Sequence, residues 1–594
     1  MTPCKQDYSD VYDRISSKLA SWKSRLLNKP GRVVLANSVI SSLPSYHMQI
    51  NWLPQGVCDD LDKIVRRFIW KGTGERGMSL VGWDKITQPR KFGGLGVRRS
   101  RLQNVALLGK LIWEILHSPD KLWVNLWNDI YLKGQLPFNV RVTGGSAIWN
   151  SMRKAMSMLR DGFTLKIGDG NSSFWYDPWV FKEKLSSLVP YVDIHDTSLK
   201  IQEVWVNGEW NLHQLYTALP DYARDTITLL QPCIVEDLPD TWIWENTIAG
   251  VYTSKSAYHW LLNPTPCNNL TGWQWIWRLQ LPANIQFFVW QLVHESIPTK
   301  SVLHHRQVCN SELCPRCLTE TETIDHCLFF CGDSVNIWNL CGLHSIPSSL
   351  QGMDRLSWCK QLGKKYGNIV FVTLWVIWCA RNDFIFNTHR ESMHTSGAKI
   401  HTMVKASADA FMLLAEPAPI VLNHRRVKWS RPAEDFVCLN VDGSLLGSNN
   451  KAGYGGLLRN RDGDFIWGFY GVAAFPNILL AETMAIWHDL KLCWDRGYRK
   501  VLCCSDSLLS INFIKEGVST HHRLANEILR IQKLLASDWE VILSHTLREG
   551  NACADVLAKM GASSSSSLVV VATPPNELAR PLLDDAWGVE FVRG

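Results

Sequence analysis

The sequence predicts a multidomain protein in which α-helical N-terminal and cysteine-bearing regions are followed by a C-terminal α/β domain, a mixed five-stranded sheet flanked by helices. Three observations predict it. Apolar residues recur at helical spacing through the first 135 residues; alternating and helical runs interleave between 434 and 565; and a Cys-x2-Cys-x8-His-x4-Cys set lies between the two regions. At 594 residues, 46% hydrophobic and 20% charged, the chain is globular and long enough for three or four domains.

The first region, 1–135, reads as a series of helices. Val11 to Leu27 is amphipathic, Pro30-Gly31 breaks it, a second helix runs to Leu43, and Pro54 precedes a third carrying Leu61, Ile64, Val65, Phe68 and Ile69. This region holds 21 Lys and Arg against 11 Asp and Glu, while the whole chain carries only +7, so the basic surface is concentrated here. Such an excess suits either salt-sensitive phosphate contact or ordinary solvated helices. Gly93 to Gly96 lacks both a preceding strand and a following Gly-Lys-Ser, so it reads as a turn.

Residues 136–240 form a Trp-rich block with Ile167-Gly168-Asp169-Gly170-Asn171-Ser172 and Phe174-Trp175, to which the sequence assigns no chemistry. Over 241–345 the Cys/His set is Cys314, Cys317, His326 and Cys331. A closed tetrahedral Zn2+ site uses four such ligands and leaves no open position, so it holds a fold rather than doing chemistry. Cys309, Cys327 and Cys341 lie close by, and cysteines are also ordinary core residues. A helical connector marked by Trp375-x-x-Trp378-x-x-Arg381-Asn382 and a Pro- and Arg-bearing linker fill 346–433. Within it the apolar run Ile369 to Ala380 is too short to cross a bilayer. Seventeen Cys without an N-terminal signal segment argue for a reducing, intracellular setting, nucleus or cytoplasm.

The domain at 434–565 reads β-β-β-α-β-α-α-β-α. Asp442 ends an alternating strand, Glu482 opens an amphipathic helix, Asp506 ends another strand, and Asp555 starts the last helix. Carboxylates at such positions can converge, and a few of them on rigid elements suffice for two Mg2+ ions that activate water and neutralise a phosphodiester. Residues 566–594 are expected to form a weakly packed tail.

Asp442-Gly443-Ser444, Ala452-Gly453-x-Gly455-Gly456, Ala481-Glu482, Ser505-Asp506-Ser507 and His545-x-x-Arg548-Glu549-x-Asn551-x-x-Ala554-Asp555 together resemble a type 1 ribonuclease H domain of plant non-LTR, LINE-type retroelement proteins. The cysteine region with Trp242-x-Trp244, Gly250-x-Tyr252-x-x-Lys255-Ser256-Ala257-Tyr258 and Trp273 to Trp277 resembles the reverse-transcriptase zinc-binding domain. Trp22-Lys23, Leu43-Pro44, Phe68-Ile69-Trp70 and Gly93-Gly94-Leu95-Gly96 resemble the end of such a reverse transcriptase after its palm.

The resemblance implies hydrolysis of the RNA strand of RNA–DNA hybrids with Mg2+ or Mn2+ at Asp442, Glu482, Asp506 and Asp555. His545 is the candidate for the histidine that assists turnover in some relatives, or else a structural residue. Between Gly517 and Arg523 lies only Val518 to His522, too short for the basic protrusion with which many relatives grip the hybrid. Asp59-Asp60 and Asp584-Asp585 lie outside any hairpin, so no polymerase activity is expected. The partners implied are nucleic acids, hybrid or single-stranded. The alternatives are a catalytically silent nucleic-acid-binding remnant and, less supported, a scaffold using the Trp-rich block.

Overall fold

A computed structural model of the chain describes residues 5–20, 26–72, 77–140, 144–262, 272–346, 354–414, 425–447 and 450–593. The chain forms two compact units, each assembled from two separated segments: 1–159 with 253–420, and 160–252 with 421–594.

In the first unit the elements that matter are helical: α1 (Gln55–Lys71), α2 (Ser100–His117), α3 (Ser254–Leu261), α4 (Ala283–Val293), α5 (Gly332–Leu340) and α6 (Ile369–Asn387). The N-terminal helix spans Ser9–Ala20, and the Trp22-Lys23 phrase lies outside the described residues. The next helix begins at Lys29, with Asn28 accepting from the Gly31 amide. Pro30 therefore starts this helix, in the first-turn position where its missing N–H costs nothing. Helix α1 buries Leu61, Val65, Phe68 and Ile69 as its spacing requires, and Asp59-Asp60 lie on it.

One apolar core joins these N-terminal helices to α4 and α6. The Gly93–Gly96 turn is the seam. Gly94 lies so near Gln88 that a Cβ would meet its carbonyl oxygen at 1.8 Å, and the Gly93 carbonyl accepts from Trp290 Nε1 (2.8 Å). His294 Nε2 lies 2.7 Å from the same carbonyl.

The apolar run at Ile369 continues to Asn387. By length and composition this 19-residue helix could cross a membrane, which corrects the expectation from the shorter run. It is instead the central core helix of the unit, burying Val370, Phe371, Val372, Leu374 and Ile377.

In the second unit, β1 (Phe163–Lys166) of the Trp-rich block pairs antiparallel with β2 (Thr241–Trp244), so the first residues of the expected zinc region, to Tyr252, belong to this unit. Then come β3 (Arg425–Val427), β4 (Val437–Leu446), β5 (Lys451–Arg459), β6 (Phe465–Val472), α7 (Ile478–Asp495), β7 (Lys500–Ser505), α8 (Leu508–Glu516), α9 (Ala525–Leu535), β8 (Glu540–His545), α10 (Ala552–Ser563), β9 (Val569–Val571), α11 (Ala579–Ala586) and β10 (Phe591–Arg593). The order β-β-β-α-β-α-α-β-α is as expected. The main sheet runs β8-β7-β4-β5-β6-β9, with β7 parallel to both β8 and β4 and the remaining pairs antiparallel. The five expected strands are thus joined by a sixth from the tail.

The tail is not weakly packed. Strand β10 pairs with β3 inside the expected linker, and Asp585 on α11 accepts from the buried Arg459 at 2.7 Å. Arg459 also donates to Asn440 Oδ1 (2.7 Å) and stacks 4.2 Å from the Trp429 ring. A sequence reading misses this because a short apolar strand and a lone Asp carry no signal of a partner 126 residues away.

The Trp-rich segment also has a structural role. The amides of Gly168, Gly170 and Ser172 all donate to the Asp240 carboxylate (2.5, 3.0 and 2.6 Å), so its glycine loop cradles an internal anion. Residues 160–252 cover the α8–α9 loop: Arg523 N donates to Ile248 O (3.1 Å), Lys166 Nζ to Thr520 O (2.8 Å), and Asn526 Nδ2 to Ile167 O (2.8 Å).

Candidate active site and metal centres

Register brings the first two aspartates together. Strands β4 and β7 pair in parallel from Val437 with Val501 to Val441 with Ser505, so Asp442 and Asp506 follow the last matched pair side by side. Glu482 arrives from α7, whose N-cap Asn477 accepts from the amides of Leu479 and Leu480. The helix starts at Ile478, so Glu482 stands at the end of its first turn. Gly443 allows the approach, since a Cβ there would lie 2.5 Å from Glu482 N.

Asp442, Glu482 and Asp506 offer oxygens within 4.8 Å of one another. Asp442 Oδ2, Glu482 Oε2 and Asp506 Oδ1 are buried without a hydrogen-bond partner among the described residues. Burial, then the neighbouring charges of Glu482 and Asp506, push the Asp442 carboxyl up to about 9. Burial and then Asp506 push Glu482 up to about 8, against the Gly443 backbone hydrogen bond and Arg548. Three crowded carboxylates with vacant lone pairs match what a hard divalent cation requires.

Asp555 lies outside that closest trio. It sits in the first turn of α10, where its charge still reaches Asp442, and it pairs with Lys559 at 2.5 Å. Glycines set this helix against the sheet: a Cβ at Gly453 would meet Ala562 N at 1.9 Å, and one at Gly455 would meet Leu557 C at 2.6 Å. Its N-terminus is pinned by Asn551, which donates to Val441 O (2.8 Å) and accepts from Asn440 (3.0 Å). The Ala-Gly-x-Gly-Gly and Asn551 parts of the motif are therefore packing devices that aim Asp555. His545 is exposed at the end of β8, matched to Ser505 on β7, and is not one of the trio. Arg548 Nε lies 3.9 Å from Asp506.

The cysteine set also converges. Cys314, Cys317, His326 and Cys331 place their ligand atoms within 4.8 Å of one another, with Cys314 Sγ 3.9 Å from Cys331 Sγ and Cys317 Sγ 3.4 Å from His326 Nε2. A tetrahedral zinc with thiolates at about 2.3 Å separates its sulfurs by roughly 3.8 Å, so the geometry fits. The hydrogen bond from Cys331 is the main cause that pushes the Cys314 thiol down to about 3. Cys327 is different: it is fully buried, and its backbone carbonyl accepts from Arg316 and Ser334.

Two motif residues unexplained by sequence support this centre. Arg381, from the connector's Trp-x-x-Trp-x-x-Arg-Asn, makes a bidentate buried pair with Glu322 (2.8 and 2.5 Å). Glu322 also accepts from Lys300 N (2.7 Å), and Thr323 accepts from His326 N (3.0 Å). Helix α6 thereby fixes the loop that presents His326. Only the three-residue offset of Thr323 from His326 hints at this in the sequence.

A family model described as reverse transcriptase-like matches residues 440–561, and one described as zinc-binding in reverse transcriptase matches 252–338. An Arabidopsis thaliana protein named "Putative ribonuclease H protein At1g65750" is 27% identical, over 98% of this chain and 97% of its own. Another, "Uncharacterized mitochondrial protein AtMg00310", is 31% identical over 24% of this chain and 95% of its own. The chain belongs to the plant retroelement-derived proteins. Its α/β domain has the ribonuclease H-like fold, and its cysteine region is a reverse-transcriptase zinc-binding domain. Among solved structures, RNase H1 of Halobacterium salinarum is 24% identical over 22% of this chain and 98% of that one, with a TM-score of 0.20. The N-terminal RNase H domain of a Mycobacterium tuberculosis protein is 21% identical over 22% and 94%, also at 0.20.

Proposed function

We propose that the C-terminal domain of this retroelement-derived protein is a metal-dependent endonuclease that hydrolyses the RNA strand of RNA–DNA hybrids. The carrying observation is the trio of buried, unpartnered carboxylate oxygens on Asp442, Glu482 and Asp506. Mg2+ or Mn2+ ions, when bound, supply charge neutralisation and an activated water. Asp442, Glu482 and Asp506 hold them from three rigid elements, and Asp555, on the more open side, completes the set. Arg548 attracts the phosphodiester, and the exposed His545 moves a proton at its imidazole. Cys314, Cys317, His326 and Cys331 hold a structural Zn2+ that fixes the first unit, while polymerase chemistry is no part of this reading.

A second reading, a nucleic-acid-binding remnant without turnover, is favoured by one observation. The segment covering the α8–α9 loop, 160–252, holds 6 Lys and Arg against 14 Asp and Glu, so a hybrid finds no cationic grip beside the carboxylates and binding would rest on the basic residues 1–135, away from any turnover. Incubating the full chain with a labelled RNA–DNA hybrid and Mg2+, beside Asp506→Asn, separates the two. Cleavage by the wild type and none by the variant supports the nuclease. Hybrid binding without cleavage by either establishes the remnant.

A further inference from the structure

Within the first unit, a cleft of about 340 Å³ opens between the Gly93–Gly96 turn, α2 and α3. The turn and the start of α2 form the most basic stretch of the unit: residues 82–110 hold 7 Lys and Arg against one acid, Asp84. Asp84 is occupied by Arg99 (2.9 Å), and the nearby Asp62 accepts from Ser100 N and Oγ (3.0 and 2.6 Å). Arg98, Lys255 and His259 line the cleft, all are exposed, and among the described residues none forms an ion pair with an acid. Burial and then Lys255, Lys91 and Arg98 push the His259 imidazole down, so three cations stand beside a neutral imidazole that can still donate a hydrogen bond.

The inner wall has a different character. Pro89, Ala106, Leu107, Leu262 and the Tyr258 ring line it. The Tyr258 hydroxyl accepts from Arg99 N at 2.9 Å, so the ring is held in place by the backbone of the basic turn. Exposed cations that no described acid neutralises, in one cleft with a fixed aromatic ring and aliphatic side chains, are the two halves of a single-strand site: phosphate contact at the rim and base contact inside. A duplex could reach the rim with its phosphates but could not place a paired base within.

We propose that this cleft binds one unstacked nucleotide of a single-stranded nucleic acid, its phosphate at Arg98, Lys255 and His259 and its base against Leu107, Tyr258 and Leu262. The proposal takes from the preceding reading only that the protein's ligand is a nucleic acid.

The test uses the full chain carrying Asp506→Asn, with no added Mg2+ and no chelator, and follows anisotropy of a labelled 12-nucleotide RNA, alone or in a hybrid. Arg98→Ala with Lys255→Ala should weaken single-strand binding on the order of tenfold or more and lower the salt slope by about two, with the hybrid much less affected. Lys255→Arg should retain most of the affinity, and Leu107→Asp should lose it without losing bound zinc. Unchanged single-strand affinity in the double variant overturns the proposal, as does a wild type that binds no single strand. Equal losses for single strand and hybrid overturn the base contact. Hybrid cleavage by the wild-type chain is scored separately: its absence, with single-strand binding lost in the double variant, defeats the nuclease reading and leaves the cleft standing.

Discussion

The two candidate metal centres solve opposite problems with similar numbers of side chains. At Cys314, Cys317, His326 and Cys331 four soft ligands already stand at tetrahedral separations, and a second layer, Glu322 with Arg381 and Thr323 with His326, holds the loop that carries them. At Asp442, Glu482 and Asp506 the oxygens are just as close but mutually repulsive, and one buried oxygen of each finds no hydrogen-bond partner among the described residues. The first is closed and supported, so an ion there acts as a crosslink. The second is crowded and underbonded, so its geometry is held by the sheet and glycine-mediated helix packing, at a cost that a cation relieves. A structural centre lowers the energy of the fold, whereas a catalytic one spends some of it.

The sharpest way to break this contrast is to take the zinc away. Structural zinc contributes on the order of 10 kcal/mol in small domains. Cys317→Ser should therefore lose about one bound Zn2+ per chain by elemental analysis and collapse the near-ultraviolet dichroism of the first unit. Retained metal with intact dichroism would remove the crosslink role. Next, Asp506→Asn should lower hybrid cleavage on the order of 10³-fold while leaving zinc content unchanged; a cleavage rate within tenfold of wild type would end the nuclease assignment. Glu322→Gln leaves Arg381 buried with its partner charge gone, and should cost about 3 kcal/mol in denaturant unfolding of the first unit. A change below 1 kcal/mol would mean that the loop supports itself.

Acid should distinguish the units. Burial pushes His294 in the first and His488 in the second down to about 4. Each is neutral when folded and gains a proton when unfolded. Stability is therefore complete above the unfolded value near 6.5 and falls as pH drops toward 4, by roughly 2 kcal/mol per histidine. Melting curves from pH 7.5 to 4.5 should show the first transition descending, whereas in the second, without Mg2+, proton uptake by Asp442 and Glu482, whose carboxyls burial holds above their unfolded values, opposes the His488 loss; a flat first transition refutes burial of His294. The smallest effect is the most telling: Asp442→Asn should raise the Mg2+-free stability of the second unit by about 1 kcal/mol while removing cleavage. Lower stability would show that the trio is not strained.

Which parts were legible in the sequence follows from the range of the interactions. The β-β-β-α-β-α-α-β-α order and the convergence of Asp442, Glu482 and Asp506 follow from local alternation and strand ends. The Cys-x2-Cys-x8-His-x4-Cys set was readable because its ligands span 18 residues. Long-range pairs were not. Nothing near Asn526 announces that it donates to Ile167 O, nothing in Asp585 points to Arg459, and Glu322 gives no sign of Arg381. The expected weak tail was wrong for this reason, since its contacts lie with a strand and an arginine far earlier in the chain.

That arginine bears on how decaying gene copies should be scored. A stop codon just after Ser567 would spare Asp442, Glu482, Asp506, Asp555 and every cysteine of the zinc set, so an inspection of motifs would pass the copy as intact. Its product would nonetheless carry Arg459 without the Asp585 carboxylate, at a cost of about 3–5 kcal/mol, beside the Asn440–Asn551 contact that aims Asp555. Among related copies, selection for a working nuclease would leave its earliest trace in the last ten residues before Gly594, where no catalytic motif lies.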